Sequence, residues 1–460
     1  MKSVHDVDMT TGAAPLRQRV LRLASTPPSQ LGLLLAVLVT LCLATGAAGA
    51  ADVYSRRSVL KGIAEQSSPL TNAALQIYQS LSDADATANG VFLVGDQATT
   101  ELQERYRHDI TEAAAALSTA SAVAPDGNTA NAAAELTAQL PVYAGLVQTA
   151  QANNRQGHAV GSSYLQEASE LVREHMLPIA DRLYHDELAR LATAQDKAGA
   201  VAWLPVELGS LTLAVLLGVQ LYLRRTTRRM LNQGLLVATA AVLVAVGWLA
   251  LASSSAARHS DAGRRDGSAQ IEAIAAARTT ALSARSAETL LLIARGDDTS
   301  YESDFDRARK SLDGDGTTPG SLTAAHDRVS QARTAVDSAI DQWHRWLEQH
   351  QKLRDYDDRG DTRSAVRLAT GVDTESAELP TAPSPQNPPS MAVGETTEAL
   401  AKKVDDGLSS ALDQAKNRFD IETASASGAL VGTDAGVAAL LLVAAASVVF
   451  GMSARLREYR

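Results

Sequence analysis

Four long apolar runs interrupt an otherwise mixed pattern of hydrophobic and polar positions. They cover residues 31–51, 203–223, 234–253 and 434–452. Each run has about the 17 to 25 residues that a helix needs to cross a hydrocarbon core of about 30 Å. Trp203, Tyr222 and Trp248 lie near the ends of these runs, where aromatic side chains commonly sit among the lipid headgroups. The pattern predicts four transmembrane helices.

The two polar stretches, residues 52–202 and 254–433, have a helical pattern. From Leu60 to Val91, apolar residues recur at alternating steps of three and four, which is typical of a helix seam. Similar segments follow in both stretches, including one helix predicted over 321–358. Five prolines at 374–389 indicate a flexible loop. Because strand signals are almost absent, each stretch is predicted to be an antiparallel four-helix bundle.

Short matching segments relate the two halves of the chain. At an offset of 201, Leu81-Ser82, Ala86 and Gly95-Asp96 recur as Leu282-Ser283, Ala287 and Gly296-Asp297. At an offset of 195, Tyr106, Asp109, Ala113 and Leu117 recur as Tyr301, Asp304, Ala308 and Leu312. The matches predict an internal repeat, in which each half is an outgoing span, a helical domain and a returning span.

The distribution of charge orients these elements. Arginines cluster in the segment 1–30, in the loop 224–233 and in the tail 453–460, whereas acidic residues exceed basic ones in both polar stretches. Lys and Arg close to membrane spans tend to remain in the cytoplasm. The predicted fold class is therefore all-α, with four transmembrane helices and two tandem extracytoplasmic four-helix-bundle domains. We expect a multi-pass protein of the plasma membrane with both termini in the cytoplasm.

The first apolar run has an alternative interpretation as a cleaved signal peptide, since Ala48-Gly49-Ala50 resembles a small-residue cleavage site. A retained span is favoured because the run is longer than the usual hydrophobic region of a signal peptide. Cys42 is the single cysteine, so no disulfide forms within the chain and packing alone must hold the outer domains.

Motifs that carry catalysis are absent from the sequence. There is no HExxH metal site, Walker loop, GxSxG elbow or kinase signature. We therefore predict no catalytic residues, no metal, no cofactor, no nucleic-acid partner and no enzymatic activity. The segments assigned to the cytoplasm have only about 30, 10 and 8 residues, so an output signal must pass to another protein.

Two groups of residues are candidates for contacts. The candidates for partner or anion contacts are Arg56, Arg57, Asn153, Asn154, Arg155, Arg264 and Arg265. For Arg56, Arg57, Arg264 and Arg265, solubility at the base of a bundle is the favoured alternative. Coupling to a cytoplasmic partner is expected at Arg224, Arg225, Arg228 and Arg229. Membrane lipids and a second copy of the chain are the other partners considered.

A family resemblance rests on three short segments. They are Leu223-Arg224-Arg225, Arg229-Met230-Leu231-Asn232, and Gly145-Leu146-Val147 followed by Asn153-Asn154-Arg155-Gln156-Gly157. With the paired outer domains, they make the chain resemble GlnX-type membrane proteins of actinobacteria. The resemblance implies nutrient sensing, with an extracytoplasmic solute-binding lipoprotein that captures aspartate or glutamate and a cytoplasmic Ser/Thr kinase of the PknG type. It supplies no ligand-contact residues.

The functional hypothesis is a transmembrane sensor or adaptor that relays an extracytoplasmic amino-acid signal to a kinase. The alternative is a structural scaffold of the cell envelope whose helical domains do not switch. A channel or transporter is disfavoured because the spans lack paired internal charges and helices broken by glycine or proline. The conformation or interactions of a sensor change with ligand, whereas those of a scaffold do not.

Overall fold

The computed structural model describes residues 27–95, 100–124, 127–200, 203–227, 232–294, 300–329, 331–371 and 395–458. Nearly all of them are helical, and the only β-type pairing within these ranges is an isolated bridge between Gly314 and Pro319. The all-α prediction is confirmed for this part of the chain. The loop predicted at 374–389 and most of the segment 1–30 lie outside it.

Helices are numbered in chain order. The first half of the chain contains α1 (Pro27–Gly62), α2 (Ser68–Val94), α3 (Thr100–Val123), α4 (Gly127–Arg155), α5 (Val160–Glu170), α6 (Leu177–Gly199) and α7 (Trp203–Thr227). The second half contains α8 (Gln233–Ala262), α9 (Ala269–Ala294), α10 (Ser300–Asp313), α11 (Ser321–Arg328), α12 (Arg333–Asp358), α13 (Thr362–Thr370), α14 (Thr397–Ala429) and α15 (Thr433–Glu458). Short π-helical segments follow α1, α5 and α8, at Ile63–Ser67, Leu171–Met176 and Gly263–Ser268.

Four helical runs are long and apolar enough to cross a membrane. They are Leu31–Val94, Val160–Arg225, Gln233–Ala294 and Thr397–Ser453. Each includes one of the four apolar runs of the sequence together with helical residues of a polar stretch. This finding agrees with a multi-pass membrane protein.

The chain divides into two compact units. The hydrophobic unit comprises Met1–Ser58, Ala200–Ala257 and Ala426–Arg460, and the polar unit comprises Val59–Gly199 and Arg258–Ser425. Both polar stretches contribute to the same polar unit, in which α2 packs against α9. Their division into two separate four-helix bundles stays a prediction.

Small and polar residues mark the helix contacts of the hydrophobic unit. The hydroxyl oxygens of Thr45 in α1 and Thr212 in α7 lie 2.9 Å apart. Gln220 Nε2 donates to the Leu235 carbonyl oxygen at 2.9 Å. A Cβ atom at Gly234 would lie 2.5 Å from a backbone oxygen of α15, so only glycine permits this approach. Close small-residue packing and interhelical hydrogen bonds are how helices associate in lipid, where the hydrophobic effect is absent.

The helix predicted over 321–358 is broken in the structure. α11 ends at Arg328, and Val329 has an extended backbone with φ −83° and ψ 126°. α12 begins only at Arg333. Val329 and Ala332 are both buried, so these two residues of the break pack within the polar unit. Apolar periodicity continues through the break, which explains why the sequence pattern did not reveal it.

The π-helical segments Ile63–Ser67 and Gly263–Ser268 begin 200 positions apart, which is close to the offset of 201 between matching segments of the two halves. Both precede the long polar-unit helix of their half, α2 or α9. The internal repeat stays a prediction, but the two halves share this rare feature at similar places. π-Helical turns are uncommon and frequently accompany functional sites.

A buried ionic network joins helices from the two polar stretches. Arg285 of α9 contacts Asp83 of α2 at 3.2 Å and Glu398 of α14 at 2.9 Å. Arg278 of α9 contacts Asp405 of α14 at 2.6 Å and Asp83 at 3.4 Å. Asp83, Arg285 and Asp405 are all buried. A buried charge is costly without its partner, so the network holds α2, α9 and α14 in one arrangement.

Candidate functional site

A cavity of about 580 Å³ lies beside the α2–α9 contact, on the side away from the ionic network. Its walls come from α2, the π-helical segment Leu171–Met176, α6, α9 and α10. Both polar stretches therefore contribute to it. Its volume falls within the range of about 300 to 1,000 Å³ that is usual for small-molecule sites.

Most of the residues that line the cavity carry polar side chains. Hydroxyl groups come from Tyr78, Ser82, Thr279, Thr280, Ser283, Ser286 and Ser311. Charged groups come from Asp85, Arg173, Glu174, Asp181, Asp304 and Arg307. The apolar remainder is Leu177, Pro178, Leu282, Ala287 and Ala308. Such a lining suits a polar solute better than an apolar one, because an apolar ligand would leave these groups without partners.

Asp85 is among the most buried residues of this lining, at 2 % exposure. Its carboxylate accepts hydrogen bonds from Ser169 at 2.6 Å and from Ser286 at 2.8 Å. Burial raises the pKa of Asp85, against the hydrogen bonds of these two serines and the positive charge of Arg173. The bond to Ser286 connects α2 with α9 across 201 positions of sequence.

Arg173 connects the two polar stretches at the cavity. Its Nη1 lies 3.3 Å from Asp304 Oδ2 in α10, and its guanidinium carbon lies 5.3 Å from the centre of the Tyr301 ring. Asp304 Oδ1 also accepts a hydrogen bond from Arg307 Nη1 at 2.7 Å. Arg173 Nε has no hydrogen-bond partner within the described residues. The Asp304 carboxylate thus binds the guanidinium groups of both Arg173 and Arg307. Arg173 still has an N–H group that can donate a further hydrogen bond.

Tyr78 and Asp181 define a second part of the cavity. Burial and the negative charge of Asp181 raise the pKa of Tyr78, while a hydrogen bond with Ser283 opposes the shift. Tyr78 therefore remains a neutral hydroxyl group at physiological pH. The Asp181 side chain is about half exposed, and its only ion-pair contact among the described residues is His185, at 3.3 Å.

The candidate residues from the sequence lie elsewhere. Of the eleven, Arg228 and Arg229 lie outside the described residues, and none of the other nine lines the cavity. In the hydrophobic unit, Arg56 pairs with Asp52 at 2.8 Å and Arg57 with Asp434 at 3.3 Å. Arg224 and Arg225 are exposed near the end of α7. Their functional roles stay predictions.

The remaining candidates belong to the polar unit. Asn154 donates to the Phe92 carbonyl oxygen at 2.7 Å, and Asn153 Nδ2 donates to the Thr149 carbonyl oxygen at 2.9 Å. Arg155 is exposed at the end of α4. Arg264 and Arg265 both contact Asp261, one helical turn earlier. The structure thus shows local structural contacts for four of these five side chains.

The cavity residues were not singled out from the sequence, yet the repeat contained a signal for them. Ser82, Ser283 and Asp304 belong to the matched segments of the two halves and line the cavity. Matched apolar positions are expected from packing alone, whereas matched polar positions need another explanation. Arg173 does not belong to any of the matched segments, so the sequence did not point to it.

A smaller cavity of about 140 Å³ borders the ionic network. Arg285, Glu288 and Glu398 line it together with apolar residues of α2, α9 and α13. Thr397 Oγ1 is also buried there without a hydrogen-bond partner in the described part of the chain. Within the described residues, no three His, Cys, Asp or Glu side chains are grouped to hold a metal ion.

Comparison with known proteins gives one match. Residues 59–196 match the model of an actinobacterial sensor domain. The match begins near the end of α1 and ends in α6, so it covers the first polar stretch and supports a sensor-type protein of actinobacteria. No curated protein and no solved structure matches the chain. The narrower resemblance to GlnX-type proteins stays a prediction.

Proposed function

We propose that this protein is a non-enzymatic membrane sensor that relays an extracytoplasmic amino-acid signal to a cytoplasmic Ser/Thr kinase. In this proposal the polar unit lies outside the cell and the short arginine-rich segments lie inside. A solute-binding lipoprotein delivers or reports the amino acid at the polar unit. The proteins on both sides come from the GlnX-type resemblance.

One observation carries the sensing role. The segment that matches the sensor-domain model, residues 59–196, supplies eight residues of the 580 Å³ cavity, and these include Asp85 and Arg173. A cavity lined by polar residues is thus partly built from a segment that matches a sensor domain. A static scaffold has no need of such a cavity.

The position of the cavity suggests how binding changes the polar unit. A solute there contacts both polar stretches, and it competes with or completes the Arg173–Asp304 contact between them. A ligand stabilises whichever helix arrangement it binds better, and shifts of about 1 to 2 Å between packed helices are a common result. α2 and α9 belong to the helical runs Leu31–Val94 and Gln233–Ala294, each of which also contains a predicted span. A displacement of these helices is therefore our proposed output.

Crosslinking in native membranes tests the proposal. The tagged full-length protein is crosslinked with and without added aspartate or glutamate, and its partners are identified by mass spectrometry. We expect a solute-binding lipoprotein and a Ser/Thr kinase, with yields that change when the amino acid is added. Ligand-independent recovery of envelope proteins alone would support the scaffold instead.

A matched pair of variants on α10 connects this response to the cavity. Ser311 is exposed and lines the cavity, whereas Ser303 is exposed on the same helix and does not line it. Ser311→Trp fills the opening with an indole ring, and Ser303→Trp adds the same ring elsewhere. L-lysine is added in this pair of experiments beside aspartate and glutamate. We expect whichever amino acid changes the crosslinking yields of the native protein to change them for Ser303→Trp but not for Ser311→Trp. An unchanged response in both variants would assign sensing to the lipoprotein alone.

A further inference from the structure

We propose that the 580 Å³ cavity binds a small amine-bearing solute of net positive charge. The inference rests on the proposed sensing role of the same cavity and names the class of ligand that this chain itself contacts. Three features of the lining carry it: the balance of charges, the pairing of the arginines and the orientation of the hydroxyl groups.

The charge balance of the lining is negative. Asp85, Glu174, Asp181 and Asp304 supply four carboxyl groups, against the guanidinium groups of Arg173 and Arg307. An excess of one carboxylate remains even when Asp85 is protonated. A cavity with this field attracts cations and repels anions.

The positive charges of the lining are already compensated, whereas two of the negative charges are not. Arg173 and Arg307 both contact Asp304, at 3.3 and 2.7 Å. Glu174 and Asp181 contact no lysine or arginine among the described residues, although both line the cavity. An anionic ligand would compete with Asp304 for these arginines and would face the carboxylates of Glu174 and Asp181. A cationic ligand finds carboxylates without a strong counterion.

The hydroxyl groups present oxygen acceptors to the cavity. Ser82, Thr280 and Ser283 donate to backbone carbonyl oxygens of their own helices at 2.8 to 3.0 Å. Ser286 donates to Asp85. The hydrogen atoms of these groups are therefore engaged, and each hydroxyl oxygen keeps acceptor capacity, part of which Tyr78 uses at Ser283. An ammonium group carries three donors and no acceptor, so it matches a lining of carboxylates and accepting hydroxyl groups.

Calorimetric titration of the full-length protein in lipid nanodiscs tests this assignment. The probes are L-lysine and putrescine, which carry net positive charge, with L-glutamate and glucose for comparison. We expect lysine and putrescine to bind, and glutamate and glucose to bind at least tenfold more weakly. Because the carboxylates lie close to solvent, affinity for the cations should also fall as salt is raised.

Charge-neutral variants of similar shape locate the binding. Glu174→Gln and Asp181→Asn each remove one carboxylate that we assign to the ammonium group. Each should weaken lysine binding by about fivefold, near the upper limit for a solvated ion pair. Asp186→Asn is the matched control, because Asp186 is exposed on α6 and does not line the cavity. This variant should bind lysine as the native protein does.

The possible results separate this inference from the proposed function. Tighter binding of glutamate than of lysine would overturn the charge assignment and leave direct solute sensing intact. Absence of binding by lysine and putrescine would overturn the inference, and a solute-dependent crosslink to the lipoprotein would then still support the relay. Binding of the cations with no change in any crosslink would support the cavity assignment and contradict the relay.

Discussion

The two sides of the α2–α9 contact differ in how their charged side chains are paired. Arg285 faces the ionic network, where Asp83 and Glu398 lie within 3.2 Å of its guanidinium group. The next residue, Ser286, faces the 580 Å³ cavity with Asp85. On the network side the charges are matched to one another. On the cavity side, charged groups face open volume and remain available to a solute.

The residues of the ionic network stabilise the polar unit, whereas the charged residues of the cavity are available to bind a solute. A buried ion pair contributes little net stability, but the loss of one member leaves a charge that the interior cannot solvate. Breaking a partly exposed pair such as Arg173–Asp304 costs little stability, because water then solvates both charges. Substitutions in the network should therefore affect folding, whereas substitutions in the cavity should affect ligand binding.

The largest effect is expected from Arg285→Met. The variant keeps most of the side-chain volume but leaves Asp83 and Glu398 without their shared guanidinium group. We expect a loss of about 3 to 5 kcal/mol in the free energy of unfolding, measured by chemical denaturation in detergent or nanodiscs. Arg307→Met is the control, because its side chain is 74 % exposed and its loss should cost under about 1 kcal/mol. Equal losses in the two variants would contradict the distinction.

A pH titration tests a second buried pair. His350 Nδ1 lies 2.6 Å from Glu288 Oε2. Burial opposes a charge on His350, but the hydrogen bond to Glu288 and the negative charges of Glu288 and Glu302 outweigh it and raise the pKa to about 9. Because the folded-state pKa is raised, this stabilisation is complete below about pH 6.5 and is lost as the pH rises to about 9.

We expect that loss to reach about 3 kcal/mol in the native protein. The measurement is the unfolding midpoint between pH 6 and pH 9.5. His350→Gln keeps a hydrogen-bonding side chain but cannot titrate, so its midpoint should change less over this interval. An identical pH dependence in the variant would show that His350 is not the responsible group.

A smaller effect is expected from Ser286→Ala at the boundary between the two sides. The change removes one hydrogen bond to the buried Asp85 carboxyl group and leaves the bond from Ser169. The cost should be about 1.5 kcal/mol, measured by the same denaturation experiment. Ser283→Ala removes a hydroxyl group that bonds to its own helix and to Tyr78 but to no buried carboxyl group, so it should cost less. The opposite order would mean that Asp85 does not depend on its contact with α9.

The smallest effect on stability is expected from Arg173→Gln. Its ion pair with Asp304 is partly exposed, so the unfolding free energy should fall by about 1 kcal/mol or less. The loss of a positive charge makes the cavity more negative and should strengthen the binding of L-lysine in calorimetry. Weaker binding of lysine would indicate that Arg173 itself contacts the solute.

Sequence periodicity predicted the helices well and the site poorly. The seam from Leu60 to Val91 lies in α1 and α2, interrupted only by a π-helical turn, because helical periodicity is a local property. The same local pattern missed the break between Arg328 and Arg333. Apolar spacing alone also favours Ile340 and Leu347 as buried positions of α12, whereas the structure buries Ala339, Trp346 and His350 more completely. His350 is buried because Glu288, on another helix, provides its partner.

The sequence by itself determined the helical class of this protein, its four apolar runs and the arginine-rich segments beside them. Each of these follows from residues close together in the chain, where spacing and composition are sufficient. Only the tertiary structure decided the site. Arg173 and Asp304 are 131 positions apart, and Asp85 and Ser286 are 201 apart. Such pairs meet because two long helices pack side by side, and no local pattern specifies which of their polar residues will share a cavity.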